Sequence, residues 1–167
     1  MGEAHRLLIK MKLKACKAGI KINYYSCIFV LDTLHYMSAW RKIAIECLPG
    51  QKQYFEDPNT SIYTVFNEIL LATRQAHKSN DIAQLKKFYD FAEWCFTQKD
   101  KDLWNAAGVS FYEHLGQQPE SLKAMPDWVK PEIYKSVKGL LELFISKEDM
   151  ERLDNSYRNR FPKEFKE

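Results

Sequence analysis

The sequence predicts an all-α fold, a single-domain bundle of about five to seven helices, and three observations support it. Residues 80–96 and 100–115 carry apolar side chains at steps of three and four, which is the period of an α-helix. The polar turn TQKD that joins them is so short that the two helices must be antiparallel neighbours. Glycine and proline, six of each, lie mostly between the periodic segments, which argues against a sheet-rich fold with many tight turns.

The first helix of this central pair is apolar around most of its circumference, which places it in the middle of the fold. We expect six side chains of the pair and its surroundings to be mostly buried: Phe88, Phe91, Phe96, Trp104, Phe111 and Leu140. Gly108 interrupts the second helix, where glycine costs about 1 kcal/mol relative to alanine. We interpret it as a site of close approach by a neighbouring helix rather than as a ligand contact.

Two helices precede the central pair. The first begins after Ser38, a residue that can cap a helix N-terminus, and it ends before Pro49-Gly50. Residues 51–56 can add one further turn. The second helix runs from about residue 61 to His77 and directs a periodic apolar stripe inward.

Three helices follow the central pair. Gly116 is well placed to end the second central helix, and Pro119 and Pro131 suit the first turns of the next two helices. The apolar stripe of the helix that starts at Pro131 continues to Phe144. Ser146 begins a last helix with the sequence Ser-Lys-Glu-Asp, which is a capping box with aspartate in the usual glutamate position.

Residues 1–36 differ in composition from the rest, and we treat them as an N-terminal extension. They carry six lysine and arginine residues against two acidic ones, a net +4 that leaves −1 for the other 131 residues. The apolar run Cys27–Leu31 is too short for a signal peptide. The pattern changes sharply at Met37, so the extension is either loosely docked or lies upstream of the natural start. Residues 37–160 are then the helical domain, and residues 161–167 form a polar tail that we expect to fray.

Charge and motifs argue against several classes of function. A nucleic-acid-binding protein needs basic side chains on one folded face, and the nearly neutral helical domain provides none. No segment approaches the run of about 20 apolar residues that a membrane helix needs. Motifs for zinc, nucleotide phosphates and nucleophilic serine are absent from the sequence. We therefore expect no catalytic residue, no metal and no cofactor, and the sequence predicts a protein that is not an enzyme.

The four cysteines are widely spaced and form no C-x-x-C pair. Cys47 and Cys95 lie in apolar helical patterns, where a free cysteine usually behaves as a small hydrophobic residue. This distribution favours a reduced, cytoplasmic setting.

Glu93 and Glu113 border the apolar stripes of the central pair. A buried carboxylate needs hydrogen-bond donors, which the neighbouring tyrosine hydroxyls and tryptophan indoles could supply. We interpret the two as a candidate buried polar network. The alternative is a proton-transfer or recognition site.

The stretch LKKFYDFAEWCF, a polar turn and then WNAAGVSFYEHL resemble a family of small helical bacterial proteins of unknown function. The segment MSAWRKIAIECLPG is similar to the way such proteins begin, so the resemblance covers roughly Met37 to Leu115. Proteins of this kind are often considered immunity or antitoxin partners of bacterial toxins. The resemblance implies a bacterial protein that binds another protein.

The predicted function is non-catalytic binding of a protein partner, foremost a toxin that is neutralised by occlusion. Aromatic residues that the core does not need are the best anchors for a partner. The candidates are Tyr54, Tyr63 and Trp128, each near a helix end or loop, and the other interpretation is that they cap the ends of the bundle. The alternative functions are a generic helical interaction module and a small enzyme that uses Glu93 or Glu113. The oligomeric state and the binding face stay open at this point.

Overall fold

The computed structural model describes residues 37–166, and every regular element in that range is helical. This confirms the prediction of an all-α fold. The chain divides after Ser38 into two compact units, and the helices described below belong to the second, Ala39–Glu167. The predicted extension, residues 1–36, lies outside the described residues.

Eight helical segments follow one another in the described range. They are α1 (Ala39–Cys47), α2 (the 3₁₀ turn Pro49–Gln51 and then Lys52–Glu56), α3 (Ile62–Ser79), α4 (Ile82–Phe96), α5 (Lys101–Ala107, the π-helical turn Gly108–Tyr112 and Glu113–Leu115), α6 (Pro119–Trp128), α7 (Pro131–Leu141) and α8 (Lys147–Arg160). The number exceeds the predicted five to seven because the optional turn at residues 51–56 is formed as α2.

Polar side chains cap the N-termini of four helices. Ser61, Asp81, Asp100 and Ser146 each accept a backbone N–H from the first turn of the helix that follows. The predicted capping box at Ser146 is present in altered form, because its hydroxyl also bonds the Asp149 carboxylate at 2.9 Å. These caps explain why local sequence located the helix starts.

Arg41 of α1 holds the loop between α2 and α3 in place. Its guanidinium donates to the carbonyl oxygens of Phe55, Asp57, Pro58 and Thr60 at 2.5 to 3.1 Å. The planar fork of arginine suits such multiple donation, whereas lysine has a single ammonium group. A residue that the sequence does not distinguish from other surface cations therefore fixes the position of the α3 N-terminus.

The core is centred on α3, α4 and α5. Tyr63 bonds Asn105 near the starts of α3 and α5, and Arg74 bonds Gln117 just beyond the end of α5, so these two helices run in the same direction. Of the six side chains predicted to be mostly buried, Phe88, Phe91 and Phe111 are fully buried, and Phe96 and Leu140 are partly buried.

Trp104 is 41% exposed, so the prediction of its burial is wrong. In a regular α-helix it would lie almost on the face of Phe111, because seven residues make nearly two turns. The π-helical turn Gly108–Tyr112 accommodates one extra residue and rotates the preceding turns relative to the following ones. Leu103, eight residues before Phe111, takes the buried position instead, and Trp104 faces solvent.

Phe144 and Ile82 also lie outside the core, although the sequence patterns place both on inner stripes. α7 ends at Leu141, and residues 142–145 leave the helical path, so Phe144 is 45% exposed. Ile82 is the first residue of α4 and is 54% exposed. In both cases a residue at or beyond a helix end escapes the 3.6-residue periodicity that the prediction assumes.

The C-terminal segment, predicted as a polar tail that frays, instead packs on the domain. Phe165 lies against the rings of Tyr134 and Tyr157, with centroid distances of 6.3 and 6.1 Å. Lys135 donates to the Glu164 carbonyl and lies 4.4 Å above the Phe165 ring. The prediction used the average polarity of residues 161–166, but two aromatic residues in this segment, Phe161 and Phe165, pack against the core.

Gly108 and Gly116 differ in whether their neighbours leave room for a larger residue. A Cβ atom on Gly108 would lie 3.7 Å from Leu140 Cδ1, which is an ordinary van der Waals contact. The neighbouring helix α7 therefore leaves room for a side chain at this position, and its approach does not require glycine. A Cβ atom on Gly116 would lie within 2.4 Å of Ile145 Cγ2, a branched side chain that cannot simply swing away. Gly116 has a right-handed φ of −66°, so contact and not backbone conformation requires glycine.

Replacing Gly116 by alanine is expected to lower the free energy of unfolding by about 1–3 kcal/mol, the usual cost of overpacking. The matched change Gly108→Ala should leave it unchanged or raise it by up to about 1 kcal/mol, because alanine favours helix. Urea unfolding of both variants measures the difference. Equal stabilities of the two variants would contradict the packing described here.

Candidate functional site

A groove lies between α3 and the end of α5, with a volume of about 290 Å³. We call it the α3–α5 groove, and its lining residues are Asn67, Leu70, Leu71, Arg74, His114 and Gln117. Tyr63, Asn67, Leu71 and Arg74 follow one another at steps of four, four and three, so they share one face of α3. The groove thus lies on a helix face that continues beyond the lining residues to a predicted anchor, Tyr63.

Large apolar side chains are exposed at this groove. Leu71 is 58% exposed on α3. Phe144 is 45% exposed and lies beside the lining residues, since its ring centroid is 5.4 Å from that of His114. A single exposed leucine is ordinary, but a second large apolar side chain exposed next to the same depression is typical of an interaction surface.

A chain of hydrogen bonds orders the polar side of the groove. Arg74 Nη2 donates to Gln117 Oε1 at 3.0 Å, and Gln117 Nε2 lies 2.8 Å from His114 Nδ1. Since the Gln117 oxygen accepts from arginine, its amide nitrogen donates, and neutral His114 carries its proton on Nε2. Within residues 37–166, neither His114 Nε2 nor Arg74 Nη1 makes a hydrogen bond, and the buried Arg74 Nε has no acceptor. The groove therefore offers donors that the described domain does not use.

Glu93 and Glu113 do not form the predicted buried polar network. The Glu93 side chain is 31% exposed and pairs with Lys130, whose pKa is raised by the hydrogen bond from its ammonium to this carboxylate. Glu113 is half-buried and makes no ion pair with the residues the structure describes. Both residues lie at the edge of an apolar stripe, where a long glutamate side chain can extend into solvent. This explains why neither carboxylate is buried as predicted.

Trp128 rests on a buried ring. It stacks on Tyr89 with a centroid distance of 5.3 Å and an interplanar angle of 13°. The Tyr89 hydroxyl and His77 Nε2 are 2.9 Å apart, and burial raises the pKa of Tyr89 and lowers that of His77. The half-buried Trp128 thus covers the end of an internal aromatic cluster, which favours the interpretation of a bundle cap.

The other two predicted anchors have different environments. Tyr54 is 43% exposed on α2, and its ring lies next to that of the neighbouring Phe55. Tyr63 is half-buried and its hydroxyl accepts from Asn105 Nδ2 at 2.9 Å. Of the three candidates, Tyr63 is the one that lies on the α3 face of the groove.

Two further depressions have walls of mixed charge. One, of about 340 Å³, lies between α1 and α4 and contains Glu46, Lys87 and Asp90 around an apolar floor. The other, of about 360 Å³, lies between α6 and α8 and contains Lys123, Asp149 and Arg152. Each of these depressions has charges of both signs on its walls, whereas Arg74 is the one permanent charge among the lining residues of the α3–α5 groove.

Cys47 and Cys95 are both buried in the described part of the chain. Burial raises the pKa of the Cys47 thiol to about 11, and burial also raises the pKa of the Cys95 thiol. A thiol with a raised pKa is a poor nucleophile and a poor metal ligand at neutral pH. Among residues 37–166, no group of three or more histidine, cysteine, aspartate or glutamate side chains is placed to hold a metal ion.

None of the helices in the described range combines the length and the apolar character that crossing a bilayer requires.

Leu71, Arg74, His114 and Gln117 were not among the residues predicted for the site. Leu71 interrupts the polar face of α3, and this exception to the amphipathic pattern was the available signal. The hydrogen bond between Arg74 and Gln117 joins residues 43 positions apart, which no local pattern can indicate.

A family model described as Domain of unknown function (DUF7674) matches residues 40–146. The matched range contains every residue that lines the α3–α5 groove, together with Phe144. No curated protein and no solved structure matches the chain.

Proposed function

The chain belongs to the family Domain of unknown function (DUF7674), and since that description names no activity, we propose a function from the surface itself. The domain binds a protein partner without catalysis, and the partner is a bacterial toxin that it neutralises by occlusion. A generic interaction module would use the same surface and differ only in the partner. The observation that carries the proposal is the exposure of Leu71 in the α3–α5 groove and of Phe144 beside its lining residue His114.

Burial of these two side chains provides the driving force for association. Covering a leucine or phenylalanine side chain completely contributes about 1.5–3 kcal/mol. The exposed fractions of 58% and 45% leave roughly half of that contribution available to a partner at each residue. Leu70, which is 6% exposed, forms a fixed apolar floor between the exposed anchors and the core.

The α3 face lengthens the proposed binding surface beyond the groove itself. From Tyr63 to Arg74 the α3 face extends about 17 Å at 1.5 Å per residue. Stable complexes bury about 1,200–2,000 Å² in total, with a few central side chains supplying most of the energy. Leu71 lies between Asn67 and Arg74 on this face, so other lining residues of the groove flank it on both sides, as expected for an anchor.

The environments of Glu93 and Glu113 support binding rather than catalysis. A general acid or base must lie within hydrogen-bond reach of its substrate, usually in a cleft that holds both. Glu93 is instead paired with the exposed Lys130, and Glu113 lies outside the lining of the α3–α5 groove. Neither carboxylate lines any of the three depressions described above.

Co-expression with the candidate toxin encoded by the neighbouring gene tests the proposal. We expect protection of the cells only when the two proteins are present in comparable amounts, because an occluding protein acts by stoichiometric binding. Glu93→Gln and Glu113→Gln variants should protect as well as the unmodified chain. Protection by catalytic amounts, abolished by either substitution in a folded protein, would replace the binding proposal with an enzymatic one.

A further inference from the structure

We propose that the α3–α5 groove recognises an acidic side chain placed next to an apolar one in the partner protein. This inference rests on the proposed function, because it specifies the chemistry of the segment that the binding surface accepts. The acidic side chain contacts Arg74 and His114, and the apolar side chain lies between Leu71 and Phe144.

Charge complementarity determines the acidic half of the ligand. Arg74 is the one permanent charge among the described residues that line the groove, and no carboxylate is among them. The Gln117 acceptor is occupied by Arg74, whereas Arg74 Nη1 and His114 Nε2 have donors that the described residues do not use. A surface that has unused hydrogen-bond donors and no carboxylate favours a ligand that accepts hydrogen bonds and carries negative charge.

A carboxylate fits these donors better than a phosphate group. One arginine balances one negative charge, and its planar fork matches the two oxygens of a carboxylate. A phosphate group carries about −1.5 to −2 at neutral pH and usually requires several cationic partners. The hydrogen bond that Arg74 Nη2 donates to Gln117 fixes one edge of the guanidinium, so part of the side-chain freedom that binding would remove is already lost in the free protein.

The spacing of the anchors determines the apolar half. Leu71 and Arg74 are three residues apart on α3, which places their side chains side by side at about 5–6 Å between Cβ atoms. The matching partner segment carries a leucine or phenylalanine and a glutamate or aspartate at a similar separation. Neighbouring positions on one face of a helix or strand satisfy this requirement.

Selection of displayed random peptides on the full chain tests the inference, followed by affinity measurement with soluble copies whose C-termini are amidated. Amidation removes the terminal carboxylate, so any dependence on acid then comes from a side chain. We expect enriched peptides with an acidic residue beside an apolar one. Arg74→Gln should weaken their binding by about ten- to a hundredfold, and raised salt should weaken it further.

Arg158→Gln is the matched control, because it removes the same charge from an exposed position on α8. It should leave peptide affinity unchanged, and unchanged melting of both variants shows that each is folded. Enriched peptides that depend on Leu71 but lack an acidic residue, or bind Arg74→Gln equally well, would overturn the acidic recognition and leave the protein-binding function standing. Failure to enrich any peptide that depends on Leu71 or Phe144 would overturn both.

Discussion

Replacing Phe111 by alanine is expected to lower the free energy of unfolding by about 3–5 kcal/mol. The Phe111 side chain is fully buried, and its ring lies 5.9 Å from that of Phe66 and 5.6 Å from that of Tyr89. Removing it loses the transfer free energy of the ring and leaves a cavity between α3, α4 and α5 that close-packed neighbours fill only in part. Denaturant unfolding followed by circular dichroism measures this change.

Trp104→Ala is the control for this experiment, because Trp104 belongs to the same helix and is also a large aromatic residue. Its side chain is 41% exposed, and we expect its removal to cost about 1 kcal/mol or less. A loss below about 1 kcal/mol at Phe111 would show that the core is placed wrongly. A larger loss at Trp104 than at Phe111 would show that the π-helical turn does not shift the helix faces as described.

Leu71→Asp is expected to weaken binding of the protein partner by at least about a hundredfold, the effect of losing a central anchor. The substitution removes apolar area from the middle of the α3–α5 groove and introduces a carboxylate that an acidic ligand segment would repel. The free energy of unfolding should fall by less than about 1 kcal/mol, because a substitution at an exposed helix position costs little beyond the lower helix propensity of aspartate.

Ile82→Asp is the matched control for Leu71→Asp. Ile82 is a branched aliphatic residue with a similar exposure, 54% against 58%, and it lies at the first position of α4, away from the lining of the groove. An acidic residue in the first helical turn is favourable to the helix dipole, so the control should be folded. It introduces the same charge and removes a similar apolar side chain.

Local patterns predicted the helices well because caps and periodicity are local properties. Ser61, Asp81, Asp100 and Ser146 begin helices through bonds to residues two or three positions away, and these bonds can be read directly from the sequence. The burial of Phe88, Phe91 and Phe111 likewise follows from the 3.6-residue period within one segment.

The errors arise where the period is broken or where the contact is distant. The π-helical turn moved Trp104 to the surface, and the early end of α7 exposed Phe144. Phe165 was assigned to a fraying tail because its partners, Tyr134 and Tyr157, belong to other segments of the chain. A regular helical period cannot represent an inserted residue, and it contains no information on packing between segments.

The candidate site was the least predictable part for the same reason. The sequence predicts Tyr63 as an anchor because it is an aromatic residue near a helix start, and it lies on the helix face of α3 that contains the groove. Arg74, Gln117 and His114 form their chain of hydrogen bonds only after α3 and α5 are packed side by side. Trp128 was an equally reasonable candidate from sequence, but its contact with Tyr89 gives it a role in packing.

Titration calorimetry of the purified partner toxin into the full chain, Leu71→Asp and Ile82→Asp tests the central claim most directly. We predict that the unmodified chain and Ile82→Asp bind with the same affinity and with a stoichiometry of one to one, while Leu71→Asp binds at least about a hundredfold more weakly. Equal affinities for Leu71→Asp and Ile82→Asp, with both variants folded, would contradict the assignment of the α3–α5 groove as the binding surface.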